Sequence, residues 1–354
     1  MAISRSASLS LDLLRAATAS AVVLYHVSWL HLDEGALSFM TPKIGHSAVI
    51  VFFVLSGFVI AATTRRGSAA VDYAIKRGAR VYSVAVPALL IIMTLNYFAL
   101  SRGVVPPDAY QLRQPVPYLG LHLLFGGDLW TLAITAFSIG PYWSLNYEVW
   151  YYVIFGVWFF TRGMVRYVAV AMALLLVGPK IVVLFPVWLA GAGIYALSLR
   201  RTLPRGAARV VAAVSLVALL AFAGSGWDEA TDVASAAVAT DVGVPLRFSQ
   251  WFLGDYVRCI ATSGLIWSLC SAEIAWPVWL ARGGKALADV SFSLYLMHFP
   301  LMQFFKSMIP ESGPLAAGLA VVCSLAFGVV FEPQRDRIRK FLMSITRGLV
   351  PRET

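Results

Sequence analysis

With 354 residues, of which 59% are hydrophobic and only 13% charged, the chain carries too little polar surface for a soluble protein of its length. A mean hydropathy of +0.76 and a net charge of +10 describe a chain embedded in lipid whose basic residues mark topology. With no basic soluble module to carry it, that charge gives no support for nucleic-acid binding.

No Pro/Gly/Ser-rich linker interrupts the apolar stretches, so residues 1–334 read as a single membrane domain and residues 335–354 as a short basic cytoplasmic tail. The expected fold class is all-α, a polytopic transmembrane helix bundle. Windows of about 20 apolar residues fall at 9–30, 46–64, 81–100, 143–161, 165–179, 181–198, 208–226, 253–271, 288–308 and 313–332. That gives about ten spans. The apolar segment 118–139 is broken by Gly126, Gly127 and Asp128, and counting it as a crossing spoils the charge pattern, so it reads as re-entrant or interfacial. Basic residues cluster in alternate connections, at Arg5, from Arg65 to Arg80, at Arg162 and Arg166, from Arg200 to Arg209, at Arg282 and Lys285, and in the tail. Roughly 20 basic residues lie on that side against about 7 on the other, which places both termini in the cytoplasm. The long connection holding Asp228, Glu229, Asp232 and Asp241 then falls outside.

The first apolar run contains Asp12, Arg15 and His26, which rules out a plain secretory signal because Arg15 sits in the would-be apolar core. Ionisable groups at such depth face a partner or a substrate path. The eleven-residue step from Arg15 to His26 returns to within about 20° of the same helix face and rises about 16 Å. One face therefore carries both, and Asp12 can pair with Arg15 at i, i+3. Glu148, on the fourth span, is the acid least explained by packing. Cys259, Cys270 and Cys323 lack paired spacing and read as small buried hydrophobes. His31, His46 and His122 read as outer-face residues, and no metal-ligand spacing links them, so no metal is expected.

Five segments are more specific than topology. Leu11-Asp12-Leu13-Leu14-Arg15 followed ten residues later by His26 resembles the opening signature of the acyltransferase 3 family, integral membrane enzymes that O-acylate glycans and some small natural products. Phe52-Phe53-Val54-Leu55-Ser56-Gly57-Phe58-Val59-Ile60 resembles the family's second-helix motif, and Arg77-Gly78-Ala79-Arg80 its R-x-x-R pair. Pro141-Tyr142-Trp143-Ser144-Leu145-Asn146-Tyr147-Glu148 is similar to its P-x-W-S-L-x-x-E element, and Ser291-Phe292-Ser293-Leu294-Tyr295-Leu296-Met297-His298 to its late S-x-S-x-Y-L-x-H element. The motifs run in the family's order from residue 11 to 298. Leu14 departs from it, standing where a glycine or other small residue is usual. Some relatives carry a further hydrolase-like domain, and none is expected here.

The resemblance implies a donor, acyl-coenzyme A with acetyl as the expected acyl group, used as co-substrate with no permanently bound cofactor. It implies as acceptor a carbohydrate or lipid-linked glycan, and as location a bacterial inner (cytoplasmic) membrane. No protein partner is implied beyond the lipid bilayer. O-acylation needs an acceptor hydroxyl deprotonated as it attacks a thioester, and imidazole suits that task, so His26 is the expected base with Glu148 in support. Whether His26 only takes a proton or is itself transiently acylated stays open, since both routes use a neutral imidazole. Arg77 and Arg80 are expected at the cytoplasmic mouth of the third helix as phosphate contacts, with Arg15 near the diphosphate. The substrate path is expected to include Trp143, Ser144, Tyr295 and His298. Blander readings stand beside these. Arg77 and Arg80 serve equally as positive-inside anchors, His26 as a core histidine, His298 as a helix–helix tie, and Ser56-Gly57 as close packing, for no nucleophile elbow surrounds Ser56. A transporter of an anionic solute, using the same arginines and His26 as a proton relay, is the alternative from another class. A non-catalytic glycan or lipid sensor is a third.

Overall fold

The computed structural model describes residues 4–64, 67–243 and 245–349. Arg65 and Arg66, read above as part of a basic connection, and the end of the basic tail from residue 350 lie outside the described residues. The described chain is all-helical apart from loops. In chain order it forms α1 (Arg5–Trp29), α2 (Pro42–Thr63), α3 (Ala70–Ser101), the short α4 (Pro115–Leu123), α5 (Tyr142–Phe160), α6 (Gly163–Val177) and α7 (Pro179–Ser198). There follow α8 (Arg205–Phe222), α9 (Gly226–Val242), α10 (Phe252–Ser271), α11 (Val278–Met308), α12 (Gly313–Phe331) and α13 (Gln334–Leu349).

Every apolar window of the sequence lies on a helix. Six helical stretches among the described residues are long and apolar enough to cross a membrane: α1, α2, α3, α7, α8 and the one opening with α12. Helices α5, α10 and α11 are not in that set, and their sequences give the reason. They carry Ser144, Asn146 and Glu148; Asp255 and Arg258; and Ser291, Ser293 and His298.

Helix α2 is the hub, with 72% of its apolar window buried. It packs on α1, α7 and α10, while α11 packs on α1 and α12. The α2–α7 contact depends on two glycines facing each other's backbone. A Cβ on Gly57 would stand 1.9 Å from the Trp188 carbonyl oxygen, and one on Gly191 1.9 Å from that of Val54. This is the close approach that small residues permit in membrane bundles, and it assigns Ser56-Gly57 to packing. Neither helix can yield without dragging its neighbours. Gly57→Val is therefore expected to destabilise the fold by about 3 kcal/mol, read as a lowered thermal transition and loss of monodisperse protein in detergent. Lipid-facing surfaces lie at the periphery, where Met164, Val165, Met172 and Leu175 of α6 and Val210, Val214 and Val217 of α8 are exposed.

The segment read as re-entrant holds only α4, then irregular backbone to Pro141. Irregular backbone at such depth needs protein partners for its carbonyls, and they are supplied. Asn96 donates to Phe137 O at 3.0 Å, Gln111 to Thr135 O at 2.6 Å, Trp150 to Phe125 O at 3.0 Å, and Lys180 to Leu132 O. His122 belongs to this support, its Nε2 3.2 Å from Gln111 Oε1. It is fully buried, not an outer-face residue, because the chain folds over it.

Two helices correct the sequence reading of the connections. The acidic stretch after the seventh window is α9, capped by the Ser225 hydroxyl accepting from Asp228 N at 3.2 Å and closed by Gly243 in the left-handed region. Helix α3 begins at Ala70, about seven residues before Arg77. Arg77 and Arg80 thus stand two to three turns inside a helix instead of at its mouth, because the helix continues outward beyond its apolar window.

Candidate functional site

Two cavities lie end to end along the inner face of α1. The first is lined by Arg15 of α1, Arg77 and Arg80 of α3, Ser144, Glu148 and Tyr152 of α5, and Tyr295 of α11. The second is lined by His26 of α1, His46 of α2, Trp143 of α5, Phe248 and Trp251 before and at the start of α10, and Tyr295 and Phe299 of α11. Val49 and Tyr295 line both. Arg15 and His26 therefore line two neighbouring compartments that share Val49 and Tyr295, in keeping with their common helix face.

The first compartment gathers positive charge. Arg15 has Asp12 4.0 Å away at i, i+3. Arg77 donates to Thr63 Oγ1 at 3.2 Å and stacks 5.8 Å from the Tyr73 ring centroid, while its Nε is buried with no hydrogen-bond partner among the described residues. Glu148 lies within electrostatic reach of Arg15 and Arg77, and Tyr152 donates to its carboxylate. Three guanidinium groups against one lining carboxylate leave an excess of forked donors directed at the cavity. Such a set fits phosphate oxygens. Ser56 is tied into this wall, accepting from Trp188 Nε1 at 3.1 Å.

At the junction, Tyr295 is fixed by Ser144. The Ser144 hydroxyl donates to Pro141 O at 3.0 Å, so the Tyr295 hydroxyl, 2.7 Å away, donates to Ser144. The motif residues Trp143, Ser144 and Tyr295 thus meet where the compartments join. His298 lines neither cavity. It is fully buried behind His26, with its Nε2 2.9 Å from His26 Nδ1 and its Nδ1 2.8 Å from Leu294 O.

That pattern fixes both tautomers. A carbonyl only accepts, so His298 Nδ1 carries a proton, its Nε2 is an acceptor when the ring is neutral, and His26 must donate from Nδ1. The basic nitrogen of His26 is therefore Nε2, which has no hydrogen-bond partner among the described residues on a side chain that lines the second cavity. Glu148, expected beside His26, is in the arginine compartment instead, and the residue in contact with His26 is His298.

A model described as an acyltransferase domain, Acyl_transf_3, matches residues 8–332, nearly the whole chain. The chain belongs to the acyltransferase 3 family. Among curated proteins and among solved structures, none matches it. Membership, with the long apolar helices, makes it a multi-pass integral membrane protein of an acyltransferase family. No group of three or more metal-binding side chains occurs among the described residues.

Sequence reasoning missed one polar assembly beside these cavities. His46, read as an outer-face residue, is 7% exposed, and its Nε2 is 3.0 Å from both carboxylate oxygens of Asp255. Arg258, one of the few basic residues that the charge pattern places on the outer side, is fully buried and grips Asp228 with two 2.6 Å contacts. The signal in the sequence was the Asp255–Arg258 spacing of i, i+3 within an apolar span.

Proposed function

We propose that this membrane acyltransferase moves an acyl group, with acetyl as the expected one, from acyl-coenzyme A to a hydroxyl of an extracytoplasmic or lipid-linked carbohydrate. The arginine compartment receives the phosphate-bearing end of the donor, and the thioester reaches toward Tyr295. The acceptor hydroxyl enters the second compartment. Its oxygen attacks the thioester carbonyl while its proton passes to His26 Nε2. The carbon–sulfur bond then breaks, and the departing thiolate takes that proton as free coenzyme A. His298 holds His26 in the tautomer this step requires.

One observation carries the reading. The free imidazole nitrogen and the guanidinium cluster line adjoining cavities that share Val49 and Tyr295, so two substrates of opposite character can meet at one point. The distribution of basic residues supports about ten spans with both termini in the cytoplasm, which puts the arginine compartment on the side where the donor is available. A bacterial cytoplasmic membrane is the setting proposed. The alternation of small, aromatic and hydroxyl side chains at Trp143, Ser144 and Tyr295 suits an acceptor passing the junction.

The test compares envelope glycans from cells with and without the chain by mass spectrometry, together with thiol release from acetyl-coenzyme A by purified protein. An acyl mass increment that depends on the chain, with thiol released, is the expected result. Solute uptake into vesicles without thiol release would replace this reading with transport.

A further inference from the structure

The second cavity has a second imidazole, on the helix adjacent to His26, and a buried ionic network stands behind it. His46 Nε2 lies 3.0 Å from both Asp255 oxygens, so Nε2 carries a proton and donates. The neutral ring then keeps its lone pair on Nδ1, for which no hydrogen-bond partner occurs among the described residues. Asp255 is held in turn by Arg258 Nη1 at 3.4 Å. Arg258 Nε donates to Ser47 Oγ at 2.8 Å and Nη2 to both oxygens of Asp228 at 2.6 Å, while Lys43 reaches Asp228 at 3.6 Å and pairs with Asp232. Asp228, Asp255 and Arg258 are all fully buried.

A buried ionic assembly of this kind is a poor source of stability compared with apolar packing. Its placement fixes one thing that faces the route, the orientation and tautomer of His46. Around His46 the walls are flat aromatic surfaces. The Trp143 and Phe248 rings stack at 4.4 Å and 8°, and the His46 ring is parallel to Trp143 within 9° at 6.3 Å. Trp251 closes edge-on at 4.8 Å from His46. Aromatic faces beside fixed polar groups bind molecules with one apolar and one hydroxyl-bearing face.

We infer that His46, positioned by Asp255, accepts a hydrogen bond from a second hydroxyl of the acceptor and thereby selects which hydroxyl is presented to His26. The inference rests on the proposed acyl transfer and narrows its acceptor to molecules with at least two hydroxyls within reach of one cavity, with the ring or chain carbon face against Trp143. His46 contacts substrate without taking part in bond breaking. Asp255 acts through His46 and is a positioning residue.

The probe is the alkali-labile ester of the envelope glycan in cells producing the full-length chain, quantified as released acid and located on the sugar by NMR. Wild type, His46→Gln and Asp255→Asn are compared with cells lacking the chain, and each protein's fold is checked by size exclusion and thermal unfolding. Folded His46→Gln is expected to lower ester content about ten- to hundredfold or to move the ester to a neighbouring hydroxyl, and Asp255→Asn to change it in the same direction. Wild-type content and position in either folded variant would overturn the inference, as would loss of fold in both, which would mark the pair as packing. Absence of ester from wild-type cells would instead sink the acyl-transfer reading itself, so the two failures are distinct.

Discussion

The double variant Arg77→Ala/Arg80→Ala is expected to weaken binding of acetyl-coenzyme A about a hundred- to ten-thousandfold, measured by calorimetry on purified protein. Both residues rise from one helix face of α3 into the cavity that Arg15 and Glu148 also line. Arg77 spends one nitrogen on Thr63 and leaves Nε buried without a partner among the described residues, a costly arrangement unless a ligand completes it. Each set of hydrogen bonds to a charged group contributes about 1.5–3 kcal/mol, and two sets give the stated range. Were the pair only topological anchors, alanine would alter insertion and leave donor affinity in folded protein unchanged. Arg77→Lys/Arg80→Lys separates charge from geometry, because lysine keeps the charge and loses the planar fork. Its affinity is expected between those of wild type and the alanine variant, and equality with wild type would remove the phosphate-fork argument.

The helices of this protein were legible because the bilayer imposes a length that shows in any 20-residue average. What that average cannot register are helices whose polar residues lie outside or within the apolar layer. Helix α3 reaches back to Ala70 and α11 to Val278 through charged sequence, and α9 is rich in Ala, Thr and Asp. For α9 the end signals were present: Ser225 as N-cap, Asp228 and Glu229 in the first turn, Gly243 after the last. Local pattern likewise gave Arg15 and His26 a common face, because both sit on one helix. It could not give His26 its partner 272 positions away, nor Asp228 its contact with Arg258 across the loop between α9 and α10. Glu148 is a mixed case. Its partner Tyr152 stands at i, i+4 on the same helix and was open to local reasoning, whereas its place in the arginine compartment, away from His26, comes from tertiary structure.

Because His298 determines which His26 nitrogen is basic, its removal is expected to be nearly as damaging as removal of His26. His26→Ala should lower acyl transfer about 10²–10⁴-fold, the usual contribution of a general base, and abolish the acyl increment on envelope glycans. His298→Leu removes the imidazole acceptor of the His26 Nδ1–H and leaves the Val22 carbonyl as a remaining backbone partner of the ring, so the preference for the tautomer with a basic Nε2 is weakened. The expectation is a fall in kcat of about 10–10³-fold, within the base contribution, with the KM for acetyl-coenzyme A unchanged, since the donor's charged end lies in the other compartment. His298→Gln can again present an oxygen to His26 Nδ1–H and should recover part of the rate, which no merely space-filling role for His298 would allow. The double variant His26→Ala/His298→Leu should be no slower than His26→Ala alone, because two residues acting as one unit are lost only once. Additive losses would mean that the two imidazoles act separately, and the tautomer argument would then fail.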